Sequence, residues 1–275
     1  MQPLFEIHNK SRKRFLWLIP ILFGAGVLAC NAYILIGWYI DHRSIKREIT
    51  ELAEVTEVVE IEEGEPVNPP KDDKDNDYWN FMKLSLLNVD IEALKKQNPD
   101  TVGFINVAGT NINYPVVQTG DNDYYLHHSF KKNRNDAGWV FMDHRNNSGL
   151  TDQNTVIYGH SRLDSTMFST LKNTLGTSWV NNKENYVVRY VTENETMLFQ
   201  VFSVYTVPAE SYYIQTAFGS AAQYSGWLNE MIGRSKHNFN TVVDESDQIL
   251  TLSTCYDDND VRVVMQAKLI KKNAL

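Results

Sequence analysis

The segment TLSTCYDDNDVR, residues 251–262, sets a single thiol, Cys255, at the end of a β-rich run and an arginine, Arg262, at the start of the next. By residue type Cys255 is a nucleophile, a metal ligand, half of a disulfide or a small buried hydrophobe. The other cysteine, Cys30, lies in an apolar stretch that reads as membrane-embedded, so the two are not expected to pair. Asp257, Asp258 and Asp260 lack the Gly and Glu spacing of an EF-hand and read as a solvated loop. His127–His128 and Asp143–His144 come with neither a thiol pair nor an H-E-x-x-H motif. No metal is therefore expected, and Asp143 with Arg145 reads as a structural charge pair. A nucleophile and a buried filler remain.

A nucleophilic thiol needs a proton shuttle and a means of stabilising charge. Of the seven histidines, His8 and His42 flank the apolar stretch, whereas His160 ends the β-run TVIYGH directly after Gly159. That glycine is expected to let the backbone turn sharply and present the imidazole at a strand end. Arg262 opens the strand after a short loop, which returns its guanidinium beside Cys255. There it would favour a thiolate and the oxyanion of a tetrahedral intermediate. The three residues would then supply nucleophile, proton shuttle and electrostatic stabiliser.

The elements that must position them are short. TVGFINV (101–107), INYPVVQ (112–118), GWVFMD (138–143), NTVIYG (154–159), YVVRYV (186–191), MLFQVFSVY (197–205), QILTLSTC (248–255) and RVVMQAKLI (262–270) are β-rich and bounded by turn residues. Eight such runs predict a mostly β fold, one closed or nearly closed eight-stranded barrel. Helical spacing is expected over 78–97, where Phe81, Leu84, Leu87, Ile91 and Leu94 recur at three- and four-residue intervals, and again over 165–175 and 221–235.

Upstream, the sequence divides by composition. Residues 1–14 carry Lys10, Arg12, Lys13 and Arg14 against Glu6, whereas the whole chain of 275 residues has a net charge of −8. The acidic remainder argues against a nucleic-acid surface, and no Gly-rich phosphate loop suggests a nucleotide cofactor. Residues 15–40 hold no charged side chain and exceed the roughly 20 residues that span a bilayer as a helix. They end in Trp38 and Tyr39, an interfacial pair, so they read as an uncleaved signal anchor with the basic tail cytoplasmic and the bulk outside. Residues 44–63 are charged and mixed with a weak helical period, and GEPVNPPKDDKDND (64–77) is polar, Pro-containing and without core-forming residues. Residues 41–77 therefore read as a stalk or linker that contributes no core. The folded domain is expected over 78–275.

TLSTC with Arg262 on the following strand, and YGHS upstream, resembles the sortases, membrane-anchored cysteine transpeptidases of Gram-positive bacteria. GWVFMDHRNN and NTVIYGHSRLDSTMFSTLKN, with the N-terminal helices and the helix at 221–235, resemble class B of that family. The D-P-W and D-P-F lid motifs of many class C members do not occur in the chain. The resemblance implies that Cys255 attacks the Thr carbonyl of a C-terminal sorting signal. The thioester then passes to an amine of peptidoglycan or its precursor, with His160 moving protons and Arg262 holding substrate and oxyanion. It also implies a substrate groove of Asn122, Leu126, Tyr158, Tyr213, Ile214, Ser253 and Thr254, with no cofactor. Class B sortases favour motifs beginning Asn-Pro, and haem-uptake surface proteins are frequent clients. The acid-rich loop after Cys255 departs from the class and leaves Tyr256 without an assigned role. A membrane-tethered cysteine hydrolase and a non-catalytic binding module remain the alternatives.

Overall fold

The computed structural model describes residues 5–70, 77–255 and 261–275, and for residues 5–17, Val55 and Cys255 it describes the backbone alone. The acidic loop with Tyr256, Asp257, Asp258 and Asp260 lies outside the described residues, as do the side chains of the basic tail. In chain order the elements are α1 (Phe5–Val55), β1 (Val58–Ile61), β2 (Glu65–Pro66), α2 (Tyr78–Phe81), β3 (Leu86–Val89) and α3 (Ile91–Gln97). The strands β4 (Thr101–Val107), β5 (Asn113–Val117), β6 (Phe141–Met142) and β7 (Asn154–Tyr158) come next, before α4 (Thr177–Val180). Then follow β8 (Val187–Val191), β9 (Glu195–Pro208), α5 (Ala221–Arg234), β10 (Ile249–Cys255) and β11 (Val261–Ala274).

The eight expected β-runs become β4 to β11. They hydrogen-bond in the order β10–β7–β6–β5–β4–β8–β9–β11, and β11 pairs back onto β10 to close an eight-stranded barrel. Closure pairs the two end strands of that order with each other, so neither stands as an open sheet edge. Because side chains alternate across a strand, β10 and β11 each serve two cores. Leu250, Leu252, Val263 and Met265 join the main core, while Ile249 and Val264 face a second one under α5. That helix starts at Ser220, whose hydroxyl accepts the Gln223 N–H at 3.2 Å, an N-cap. It buries Tyr224, Trp227, Leu228 and Met231, the i, i+3, i+4, i+7 stripe of an amphipathic helix. Each large apolar side chain so buried contributes about 1.5–3 kcal/mol. The helix thereby braces the outer face of β9, β10 and β11.

Two helical expectations are corrected. Over 78–97 the chain makes α2 and α3, but Leu86–Val89 is a strand, because it pairs with β1 in antiparallel register from Val58↔Val89 to Ile61↔Leu86. Over 165–175 only Ser169–Leu175 is helical, as a 3-10 turn. Ser165 and Met167 sit at φ +63° and +53°, a left-handed conformation that no right-handed helix continues through.

The segment expected to be a linker without core residues is also different. Residues from Ile45 onward belong to the same compact unit as the barrel. Ile45, Glu48 and Leu52 lie on one face of α1 and are buried, and Glu48 accepts the Lys131 N–H at 2.6 Å. β2 adds to β11, and the Lys271 ammonium donates to the carbonyls of Glu62 at 2.6 Å and of Met82 and Leu84 at 3.1 Å. Charged residues masked the apolar stripe of this segment. Residues 71–76 of the expected linker are outside the described residues.

Residues 1–44 form a unit of their own. In it α1 carries exposed apolar side chains from Leu18 to Ile40, Cys30 is free and exposed, and Trp38 stacks on His42 at 5.1 Å. Among the described residues one helix is long and apolar enough to cross a membrane, with mean hydropathy 2.1 in its most apolar window.

Candidate active site

β7 and β10 run parallel, with Ile157 opposite Leu252 and Tyr158 opposite Ser253. The Gly159 N–H donates to the Ser253 carbonyl at 3.3 Å, so the two strands stop pairing together. His160 follows Tyr158 by two residues, as Cys255 follows Ser253. On the other side of β10 the antiparallel ladder with β11 sets Cys255 directly opposite Arg262. The end of β7 and the β10–β11 pair, from two remote parts of the chain, thus bring the histidine, cysteine and arginine positions to one end of the barrel.

The His160 ring is fixed by two neighbours. Nε2 lies 3.0 Å from the Leu126 carbonyl, which only an N–H can satisfy, so Nε2 carries the proton and Nδ1 of the neutral ring is an acceptor. Burial pulls the imidazole below its ordinary value. The Leu126 hydrogen bond opposes this, while Arg162, His127 and Arg262 add to it. Gly138 is the second neighbour: its φ is +59°, and a Cβ there would come within 2.8 Å of the His160 ring and 2.5 Å of the Tyr125 carbonyl. The expectation for Gly159 is corrected, because it has no left-handed φ. Its lack of a side chain instead admits the Phe168 ring, 2.6 Å from where a Cβ would stand.

A groove of about 590 Å³ opens at this end of the barrel. His160 and Arg262 line it, together with every residue expected in a substrate groove: Asn122, Leu126, Tyr158, Tyr213, Ile214, Ser253 and Thr254. The Tyr213 hydroxyl and Ser253 Oγ are 2.9 Å apart. Below the floor, the Tyr158 hydroxyl donates to Asp143 Oδ2 at 2.8 Å. Arg145 grips the same carboxylate through Nε at 2.8 Å and Nη2 at 2.7 Å, the expected structural pair. Burial alone would push Asp143 upward, but these hydrogen bonds overcome it and hold the carboxyl at about 2.

Sequence reasoning missed Phe141, Ala209, Glu210 and Ser211, which also line the groove. Phe141 reads as one more apolar position of a β-run. Ala209–Ser211 follow Pro208, the last residue of β9, and reach the site because Pro208 pairs with Val261 at the start of β11. No local pattern encodes such a pairing. Two other histidines have partners of their own: His128 Nδ1 lies 2.7 Å from the Tyr124 carbonyl, and His127 is 3.5 Å from Asp136.

Comparison with known proteins decides the family. The sortase domain model matches residues 105–270, which spans the barrel from β4 to β11. The chain belongs to the sortase family. It is a cysteine transpeptidase by that membership, and its relatives are of class B. It is 35% identical over 186 residues to sortase B of Listeria monocytogenes, covering 66% of this chain and 75% of that protein. To sortase B of Staphylococcus aureus it is 36% identical over 183 residues, 66% of this chain and 74% of that protein. Among solved structures, the Staphylococcus aureus sortase B–substrate complex superimposes with a TM-score of 0.62 at 36% identity, over 66% of this chain and 84% of that one. A sortase B structure from Bacillus anthracis does so with a TM-score of 0.67 at 31% identity, over 85% and 99%. The eight-stranded barrel of this sortase is therefore the fold of the class B enzymes.

Proposed function

We propose that this sortase is membrane-anchored, that it cleaves a C-terminal sorting signal of surface proteins, and that it joins them to an amine of the cell-wall peptidoglycan or its precursor. The observation that carries the reading is the convergence of the Cys255–Arg262 strand pair and His160 on one peptide-sized groove. In this reading residues 1–14 are cytoplasmic, 15–40 span the membrane and the barrel lies outside.

In the first half-reaction the Cys255 thiol gives its proton to the neutral His160 and its sulfur attacks the Thr carbonyl carbon. Arg262 donates to the oxyanion. As the C–N bond breaks, His160 passes the proton to the departing amine and a thioester remains. In the second half the incoming amine loses a proton to His160, attacks the thioester, and the thiolate leaves and is reprotonated. No cofactor takes part in these steps.

The experiment is a panel of fluorogenic pentapeptides presented to the full chain in detergent micelles, with and without a glycine-based amine. Cleavage that disappears in Cys255→Ala, together with a ligated product, supports the transpeptidase. Cleavage without ligation makes it a hydrolase. Binding with no Cys255-dependent cleavage makes it a binding module.

A further inference from the structure

We propose that Arg145 is a positioning residue for substrate binding, joining the floor of the groove to the wall that carries Tyr213 and Ile214; this rests on the function proposed above. The wall segment, residues 209–216, holds neither a regular strand nor a helix. Side chains from elsewhere hold its carbonyls instead. Trp227 Nε1 of α5 donates to Tyr212 at 3.0 Å, and Asn154 Nδ2 of β7 donates to Tyr213 at 3.4 Å and Gln215 at 2.9 Å. Arg145 Nη2 donates to Ile214 at 2.9 Å.

Arg145 differs from the other two because the same guanidinium also grips Asp143, and Asp143 accepts the Tyr158 hydroxyl. One side chain therefore sets both the floor residue Tyr158 and the wall residue Ile214. The Asp143 side chain is fully buried, so its carboxylate is a fixed anchor that solvent does not loosen. Only a planar fork with several donors reaches a carboxylate edge-on and a third acceptor together. A pre-formed wall spares an extended peptide the ordering cost of closing a loop around it. Arg145 does not line the groove itself and so acts through its two neighbours.

The test uses the full chain in micelles. Binding of a cleaved panel peptide is measured in a Cys255→Ala background, and turnover in the active enzyme. Arg145→Lys keeps a cation beside Asp143 but loses the fork. It should weaken peptide binding and raise KM on the order of tenfold, the scale of one charge-assisted hydrogen bond. The kcat, and alkylation of Cys255 read on its own peptide so that Cys30 does not interfere, should stay within about threefold, too small a change for a lost catalytic group. Adding Ile214→Ala to Arg145→Lys should cost much less than Ile214→Ala alone, because both act through one wall. Arg145→Met combined with Asp143→Asn removes the buried charge and guards against a folding defect; it should reproduce the KM effect. Unchanged binding in either folded variant overturns the proposal, as does a parallel fall in kcat and thermal stability with additive Ile214→Ala. If the unaltered chain neither binds nor cleaves any panel peptide, the functional reading fails and this proposal falls with it.

Discussion

Cys255 and Arg262 face each other across the antiparallel ladder of β10 and β11, the last pair before the connecting loop. A direct cross-strand pair has its Cβ atoms about 4.5–5.5 Å apart, within reach of a long guanidinium. The ladder, rather than the acidic loop, therefore fixes how near the cation stands to the thiol position. Shortening or recolouring that loop should matter less than altering Arg262 itself.

Arg262→Lys tests the point. Lysine keeps the charge that favours a thiolate but lacks the two parallel donors that hold a carbonyl and its developing oxyanion. The expected loss in kcat is about 10²–10³, typical of one oxyanion donor, with a smaller change in KM. Alkylation of Cys255 by iodoacetamide should stay brisk. Near-normal peptide turnover would assign the oxyanion to other donors.

Gly138→Ala should damage the enzyme more than its distance in sequence from His160 suggests. The left-handed φ and the 2.8 Å approach of a Cβ to the imidazole leave no room for a methyl group. The ring must shift or leave the Leu126 carbonyl. We expect a loss on the order of 10²-fold in kcat/KM, the scale of a displaced proton shuttle, with the peptide still bound. Equal kcat/KM in the folded variant would show that His160 is held otherwise.

Much of this architecture was legible. The eight β-runs and α5 followed from period and turn residues, since alternation and the helical stripe are properties of adjacent positions. Cys255, His160 and Arg262 stood out because each ends or begins a strand. Phe141 and Ala209–Ser211 did not, because they enter the groove only through barrel closure and the Pro208↔Val261 pairing. Leu86–Val89 misled because a partner strand, β1, overrides a helical spacing, and Gly159 because close packing against Phe168, not backbone freedom, requires it.

His160 should titrate below the ordinary histidine range. Burial lowers its value, so between the folded value and 6.5 the unfolded chain binds a proton that the folded chain does not. Stability therefore rises with pH through that window, levels off above 6.5, and is lost as pH falls. Imidazole signals followed by NMR, with His160→Ala to assign them, should give a midpoint under 6.5. A midpoint above 7 would mean that the resting enzyme carries an imidazolium, and the thiol would no longer be the source of the proton given to the leaving amine.

The N-terminal boundary gives the sharpest stability prediction. A fragment starting at Ile45 keeps the buried Ile45, Glu48 and Leu52 face, the β1–β3 ladder, β2 on β11 and the Glu62 carbonyl of the Lys271 cage. A fragment starting at Tyr78 loses all of them, while Lys271, buried at 2% exposure, keeps only the Met82 and Leu84 carbonyls. Two aliphatic side chains alone carry about 3–6 kcal/mol of burial. For a domain of this size each kcal/mol moves Tm by about 2–4 °C. The Tyr78 fragment should therefore melt about 6–24 °C below the Ile45 fragment, or fail to fold. Lys131 ties the same helix face, through Glu48, to the segment that also presents Leu126 and its carbonyl to His160. The shorter fragment should accordingly lose kcat/KM even at temperatures where it remains folded. Equal melting temperatures and equal turnover for the two fragments would show that residues 45–77 are a dispensable tether.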